Sequence, residues 1–392
     1  MYTDPRIARA MFASVIALVA FPAPISAAEY VPPPGGAWAR HAPGPAGFDA
    51  KRLQAAIDFA IAQESPEPRD LALTIALTRA REPYDAIIGP TQPRGDPTGL
   101  IVRGGYLIAQ WGEPDRVDMT FSVTKSFLST VTGIALDRGL IKSLDDPVRD
   151  ALPGEYFASE HNRNITWNQL LRQTSNWRGT LWDKPDWADR PTGDDPFAWP
   201  TLPLPAPGTA YEYNDVRVNL LALAALQVWR KPLPEVLKRE VMDPIGASDT
   251  WRWTGYQNSY VELDGQRVQS VSGGGHWGGG MFINAWDMAR FGLLTLRGGY
   301  WGDRRIYSQR WQQIATTPTD VQPNYGVMNW YLNTDRKPLP AAPASAFSHL
   351  GAGTNMIYVD PTNDLVVVAR WIRDDKRAAI IERVLGALAE KP

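Results

Sequence analysis

Sequence runs typical of β-strands lie near the two ends of the chain, and this separation constrains the possible folds more than any other feature. Near the beginning, residues 100–103 and 106–109 flank Gly104-Gly105, a pair suited to a two-residue turn with positive φ angles. Near the end, residues 356–359 and 365–369 flank a second turn-forming segment. The middle contains helical patterns and loops. We therefore predict one sheet built from both ends of the chain.

This arrangement predicts an α/β (α+β) protein in which an antiparallel sheet is flanked by helices and carries an inserted, mostly helical region. Apolar spacing and capping residues indicate helices that start at Asp49 and cover about 122–138, 165–173, 216–229, 284–297 and 376–389. The predicted parts are a signal peptide (1–28), an extended arm (29–46), an α/β region (47–148 and 275–392) and the inserted region (149–274).

Composition excludes several functional classes. The formal net charge is -2 and no long basic run occurs, so nothing favours nucleic-acid binding. The sequence has no cysteine, which excludes disulfides, and its four histidines are scattered without the spacing of a metal site. We therefore expect no cofactor and no metal. The 16 tryptophans could build a core or line a ligand cleft.

The N-terminal segment has the pattern of a secretory signal. Arg6 and Arg9 precede an apolar stretch over 11–21, and Ser26-Ala27-Ala28 offers small residues for cleavage after Ala28. A membrane anchor is the alternative, although the apolar stretch is short for a bilayer. We therefore expect a periplasmic or secreted protein that is not inserted in a membrane after the signal is removed.

The segment Ser122-Val123-Thr124-Lys125 joins a strand-like run to a helical pattern. A serine hydroxyl becomes a good nucleophile when a nearby base accepts its proton, and residues three apart lie on one helix face. Lys125 can serve as that base only when it is neutral, which burial favours. The helix N-terminus also offers backbone amides to an oxyanion. Without further support, Ser122 could equally be a helix cap beside a solvated lysine.

Two later segments add chemically suitable groups. Tyr211-Glu212-Tyr213-Asn214-Asp215 runs into a helix, and a tyrosine near the serine and lysine could pass a proton to a leaving group. Phe347-Ser348-His349-Leu350-Gly351 leads into Ala352 and Gly353, where substrate could approach the backbone. Taken singly, the first segment could be a core aromatic at a helix start and the second an ordinary strand entry.

Taken in order, these three segments resemble the motifs of class C β-lactamases and related serine hydrolases, including penicillin-binding-protein-like enzymes, esterases and 6-aminohexanoate-dimer hydrolases. Ile165 to Ser175, and Gly278-Gly279-Gly280 followed by Asp287 to Gly292, are similar to other family segments. The resemblance covers roughly residues 48–388. It implies a β-lactamase/transpeptidase-like fold and a serine hydrolase that works through an acyl-enzyme.

The resemblance also implies roles for individual residues. Ser122 would be acylated, Lys125 would accept its proton, and Tyr213 would assist proton transfer. Tyr213 is preferred to Tyr211 because of its spacing from the following helix. The backbone amides of Ser122 and Ala352 would form the oxyanion hole.

Two departures from the lactamase motifs bear on the substrate. Asp215 stands where lactamases have asparagine, and it could pair with Lys125 unless Asn214 takes the asparagine role. His349 stands where lactamases have a lysine that attracts a substrate carboxylate. These changes favour small esters or uncharged amides over β-lactams. The residues predicted to contact substrate are Asp215, His349, Gly351 and, from the tryptophan-rich loop at 177–199, Trp182.

A different class of function is also compatible with the sequence. A catalytically weak, penicillin-binding-protein-like module could bind a cell-wall fragment or another polymer in a Trp-lined cleft, and Asp215 favours this alternative. Residues 273–278 match a dinucleotide-binding glycine fingerprint, but no βαβ unit or downstream acidic residue accompanies them. Nucleotide binding is therefore not expected.

Overall fold

The structure is a computed structural model that describes residues 30–35, 38–191, 193–328 and 330–389. The predicted signal peptide, residues 1–28, lies outside the described residues. Over the described ranges, none of the helices combines the length and apolar character that a bilayer-spanning helix needs.

Helices and strands alternate irregularly along the chain. The helices are α1 (Ala50–Ala62), α2 (Leu71–Thr78), α3 (Thr124–Asp137), α4 (Trp167–Leu171), α5 (Asp215–Trp229), α6 (Leu233–Leu237), α7 (Ala285–Leu296), α8 (Gln309–Thr316) and α9 (Arg377–Gly386). The strands are β1 (Thr98–Arg103), β2 (Tyr106–Trp111), β3 (Asp118–Met119), β4 (Thr180–Leu181), β5 (Lys184–Pro185), β6 (Arg252–Leu263), β7 (Gln266–Val271), β8 (Gly280–Ile283), β9 (Tyr300–Trp301), β10 (Arg304–Arg305), β11 (Trp330–Leu332), β12 (Phe347–Gly351), β13 (Asn355–Asp360) and β14 (Leu365–Arg370).

The main sheet has six antiparallel strands in the order β11-β12-β13-β14-β1-β2. Strand β14 pairs with β1 from Thr98 opposite Arg370 to Arg103 opposite Leu365. The last strand of the chain therefore lies beside the first. This pairing confirms the predicted antiparallel sheet built from the two ends of the chain.

A second sheet has four strands in the order β3-β8-β6-β7. Its β6–β7 hairpin lies within residues 149–274, together with α4, α5 and α6. This region therefore contains a long hairpin besides its helices, and the sequence analysis did not identify that hairpin because polar side chains alternate along β6. The boundaries of the proposed parts stay a prediction.

Helices α3 and α5 are buried along almost their whole lengths, as expected for helices without a clear apolar stripe. They pack against each other within the largest apolar core, which also includes α7 and the inner face of the main sheet. Because α3 begins just after Ser122 and α5 begins at Asp215, this packing brings the two predicted site segments together.

Candidate active site

Ser122 lies in a tight turn between the small sheet and α3. Thr120 N donates to Met281 O at 2.9 Å, and Met281 N donates to Thr124 Oγ1 at 2.9 Å, so β8 holds both sides of the turn. Phe121 has a φ of 50°, in the left-handed region that is costly for an aromatic residue. The turn holds the half-buried Ser122 at the start of the helix.

Two of the predicted side chains converge at this serine. Lys125 Nζ lies 3.0 Å from Ser122 Oγ, and Tyr213 OH donates to the same oxygen at 2.7 Å. The Tyr213 ring also lies 4.6 Å from Lys125 Nζ. Tyr211, the alternative tyrosine, packs against Tyr325 at 4.9 Å. The structure therefore brings the side chains of Ser122, Lys125 and Tyr213 together in one place.

Asp215 is paired with Lys125, the predicted base, and is too deeply buried to contact a substrate. Its Oδ1 lies 2.8 Å from Lys125 Nζ, and its Oδ2 lies 2.8 Å from Arg190 Nη1. Its side chain is 1% exposed. Asn214 instead caps α5, where its Oδ1 accepts from Arg217 N at 3.1 Å. The prediction of a substrate contact at Asp215 is therefore replaced by its alternative, an ion pair with Lys125.

Burial and neighbouring charges set the protonation of these groups. Burial lowers the pKa of Lys125 to about 8, although Asp215 opposes the shift. Burial, reinforced by Asp215, raises the pKa of Tyr213, so its phenol stays a hydrogen-bond donor. Burial disfavours ionisation of Asp215, yet Lys125 and Arg190 together lower the pKa of its carboxyl. A neutral Lys125 is therefore accessible in mildly alkaline solution.

Gly351 allows the end of β12 to approach the serine turn. A Cβ atom added there would lie 2.1 Å from Thr120 O and 3.0 Å from Ser122 N, so any side chain would clash with the turn backbone. The next residue, Ala352, is exposed. This approach places the backbone of Gly351 beside Ser122, and the substrate contact at Gly351 stays a prediction that only its backbone could fulfil.

The prediction that His349 contacts substrate does not agree with its position. Its side chain is 0% exposed on β12, and its Nε2 lies 3.2 Å from Thr295 Oγ1. The rings of Phe291 and Phe347 lie 5.1 and 5.6 Å from the imidazole. Burial lowers the pKa of His349 to about 3, so the ring is neutral and belongs to the core.

Replacing His349 with glutamine is expected to make folding less sensitive to acid. The unfolded histidine binds a proton below about pH 6.5 whereas the folded one does not until about pH 3, so wild-type stability falls as pH drops through this window. Between pH 6.5 and 5 the wild type should lose about 1.6 kcal/mol relative to His349→Gln, because the slope approaches about 1.4 kcal/mol per pH unit only below pH 6.5. Urea unfolding at both pH values measures this difference, and parallel pH dependences would contradict the assignment.

Trp182 is likewise not part of the cleft next to Ser122. It packs edge-on against Tyr256 at 5.8 Å, and its carbonyl accepts from Asn258. The adjoining cleft has a volume of about 270 Å³. It is lined by Ser65, Glu67, Leu71, Thr74, Ile75, Thr78, Arg79, Arg94, Phe121, Arg190, Ala352, Gly353, Trp371 and Asp374. Trp182 does not line this cleft, whereas Trp371 does, and a substrate contact at Trp182 stays a prediction.

The cleft and the base are surrounded by charged residues that the sequence did not identify as part of a site. Arg190 Nη1 lies 2.5 Å from Asp189 Oδ1, and His276 Nε2 lies 2.6 Å from Glu82 Oε2. The potential ligand atoms of Glu82, Asp189 and His276 lie within 4.8 Å of one another, a spacing that could hold a metal ion. Arg190 already neutralises Asp189 at short range, and Arg79 Nη1 lies 3.8 Å from Glu82. We interpret the cluster as a buried ion-pair network.

Most of the sequence also matches a known protein family. A family model described as "Beta-lactamase" matches residues 100–388. The chain belongs to the β-lactamase family. The predicted family resemblance, fold class and enzyme class are therefore confirmed at the level of a β-lactamase-related serine hydrolase.

Individual relatives of this β-lactamase-family chain are distant. An Escherichia coli O157:H7 protein named "Putative D-alanyl-D-alanine carboxypeptidase" is 23% identical over 41% of this chain and 45% of its own length. The chain thus spans less than half of that relative. The 6-aminohexanoate-dimer hydrolase of Paenarthrobacter ureafaciens is 23% identical over 71% of this chain and 73% of the relative.

Solved structures support the same fold. The crystal structure of a family VIII carboxylesterase shares 20% identity with this chain and has a TM-score of 0.54. The superposition covers 87% of this chain and 98% of the other. At this identity the likeness concerns the fold alone.

Proposed function

We propose that this β-lactamase-family protein hydrolyses small, uncharged esters or amides through an acyl-enzyme on Ser122. The observation that carries the proposal is the position of Ser122 Oγ, 3.0 Å from Lys125 Nζ and 2.7 Å from Tyr213 OH. A serine between a depressed-pKa amine and a neutral phenol has both a proton acceptor and a proton donor at hand. This geometry favours a catalyst over a module that only binds a polymer.

In the proposed reaction, neutral Lys125 accepts the hydroxyl proton while Ser122 Oγ forms a bond to the substrate carbonyl carbon. The carbonyl π electrons move to the oxygen, where the amides of Ser122 and Ala352 would stabilise the negative charge. Collapse breaks the bond to the leaving group, which takes a proton from Tyr213, and Tyr213 regains one from Lys125. A water molecule then attacks the carbonyl carbon of the acyl-enzyme and gives a proton to Lys125. Ser122 Oγ leaves with a proton from Tyr213, Tyr213 regains one from Lys125, and the acid product is released.

The charges in the cleft favour an uncharged substrate. Arg190 is paired with Asp189 and Asp215, and Arg94 Nη1 lies 3.0 Å from Glu64 Oε1. Arg79 donates from Nε to a backbone carbonyl at 2.9 Å. These arginines therefore already have ion-pair or hydrogen-bond partners within the protein. The neutral His349 adds no positive charge. The cleft volume of about 270 Å³ suits a small acyl group.

A substrate panel tests this proposal. We expect p-nitrophenyl acetate and butyrate to be hydrolysed with higher kcat/KM than a chromogenic cephalosporin, with small linear amides included for comparison. Faster turnover of the cephalosporin would refute the substrate assignment. Absence of turnover, together with absence of covalent labelling by a fluorophosphonate, would refute the enzyme mechanism itself.

We further propose that the protein is exported. The support is the basic and apolar pattern of residues 1–28, which ends in Ser26-Ala27-Ala28. N-terminal sequencing of the mature protein from a periplasmic extract or culture medium tests this proposal. A first residue at Glu29 is expected, whereas an intact N-terminus on cell-associated protein would contradict it.

A further inference from the structure

A short segment near the N-terminus, residues 79–90, packs behind the active site and lies outside the residues that the family model matches. It contacts the glycine-rich segment 272–280, which leads from β7 into β8. Three backbone hydrogen bonds join the segments: Ile88 N and Gly89 N donate to Trp277 O at 3.1 and 2.9 Å, and Gly279 N donates to Pro90 O at 2.8 Å. The first segment therefore fixes the course of the second.

His276 is held by the first segment at both its backbone and its ring. Arg79 Nε donates to His276 O at 2.9 Å, and Glu82 Oε2 lies 2.6 Å from His276 Nε2. The imidazole is 0% exposed. Besides Lys125, the titratable and charged groups that face it are Glu82, Asp189, Asp215, Arg79, Arg190 and Lys184. The ring is thus fixed inside a charged cluster that is closed to bulk solvent.

The glycine-rich segment packs directly against Lys125 and Asp215. A Cβ atom at Gly274 would lie 1.8 Å from Asp215 Oδ1 and 2.1 Å from Lys125 Nζ, so the glycine backbone is in direct contact with the pair. Two residues later, His276 Nδ1 lies 3.8 Å from Asp215 Oδ2. The segment therefore packs directly against the ion pair and covers part of its surface.

We propose that residues 79–90 act as a clamp that holds His276 and the glycine-rich segment against the Lys125–Asp215 pair and keeps water away from it. Glu82 and His276 are then positioning residues, which act through the base without touching substrate. This inference rests on the proposed function, because it concerns the group that activates Ser122. A segment outside the residues that the family model matches would thus influence the protonation of Lys125.

The physical reason is solvation of the lysine. An ammonium ion is favoured by water, so a dry wall around Lys125 helps the neutral amine to form. Truncating the His276 ring leaves space for water beside Asp215 and Lys125. The ammonium form then becomes more stable, and activation of Ser122 should require a higher pH.

The test follows the rate of Ser122 labelling by a fluorophosphonate as a function of pH, because this readout needs an activated serine but no turnover. We expect the midpoint of the rising limb to move upward by about one pH unit in His276→Ala. His276→Gln, which can still donate to Glu82 and fills more of the space, should recover most of the wild-type profile. His41→Ala, at an exposed histidine stacked on Tyr106, is the matched control and should leave the midpoint in place.

An unmoved midpoint in folded His276→Ala would overturn the clamp while leaving the proposed function intact. Absence of wild-type labelling at every pH would overturn the proposed function instead. If His276→Ala does not fold, Glu82→Ala frees the same ring without truncating it. An upward shift in Glu82→Ala would support the clamp, and an unchanged midpoint would overturn it.

Discussion

Ser122→Ala is expected to abolish covalent labelling by a fluorophosphonate and to lower ester hydrolysis on the order of 10⁴-fold or more. Without the hydroxyl no acyl-enzyme can form, although the cleft and the base remain. Intact-protein mass spectrometry measures the label, and the initial rate on p-nitrophenyl acetate measures turnover.

Helix α3, which follows Ser122, provides a matched control for this substitution. Ser126 lies one turn further along α3, is buried, and its Oγ lacks a hydrogen-bond partner among the described residues. Ser126→Ala should therefore retain both labelling and turnover. Equal labelling of wild type and Ser122→Ala would show that another nucleophile reacts.

Asp215→Asn is expected to move the rising limb of the pH–rate profile to lower pH by about one unit or more. The carboxylate raises the proton affinity of Lys125, and an amide keeps a hydrogen-bonding oxygen at that position without the charge. Arg190 keeps Asp189 as a partner in this variant. At a pH well below the wild-type limb, the rate should rise about tenfold for every pH unit by which the limb moves.

Lys125→Ala is the companion variant, because it removes the titrating group itself. It should lose most activity and show no rising limb near pH 8. If Asp215→Asn leaves the limb where it is, a group other than Lys125 controls the profile. The Asp215 and Lys125 variants test the lysine itself, whereas the His276 variants test the glycine-rich segment that packs against it.

Local signals predicted much of this fold. Asp49 caps α1, its side chain accepting from Arg52 N, and Asn284 caps α7 by accepting from Asp287 N. Such contacts span three residues, so residue type and spacing are enough to infer them. Likewise, Gly104-Gly105 marks the β1–β2 hairpin, although a register shift between Ile101 and Val102 was not predictable.

The incorrect site predictions share a physical cause, which is long-range packing. An alternating strand pattern does not reveal which face meets the core, so the burial of His349 was missed. Arg190 contacts Asp215 from the irregular region that precedes α5, and Glu82 contacts His276 from a segment far away in the sequence. In the sequence, His276 stands out at this place only because glycines and Trp277 surround it.

The pairing of β14 with β1 has a consequence for how the chain acquires its structure during synthesis. The β1–β2 hairpin can form early, but one edge of β1 stays open until the last strand leaves the ribosome. Removing β14 and α9 from the nascent chain would leave that apolar edge exposed, even though every proposed catalytic side chain would be present. We therefore expect the emergence of β14 to be the event that commits this protein to its native state and protects it from aggregation.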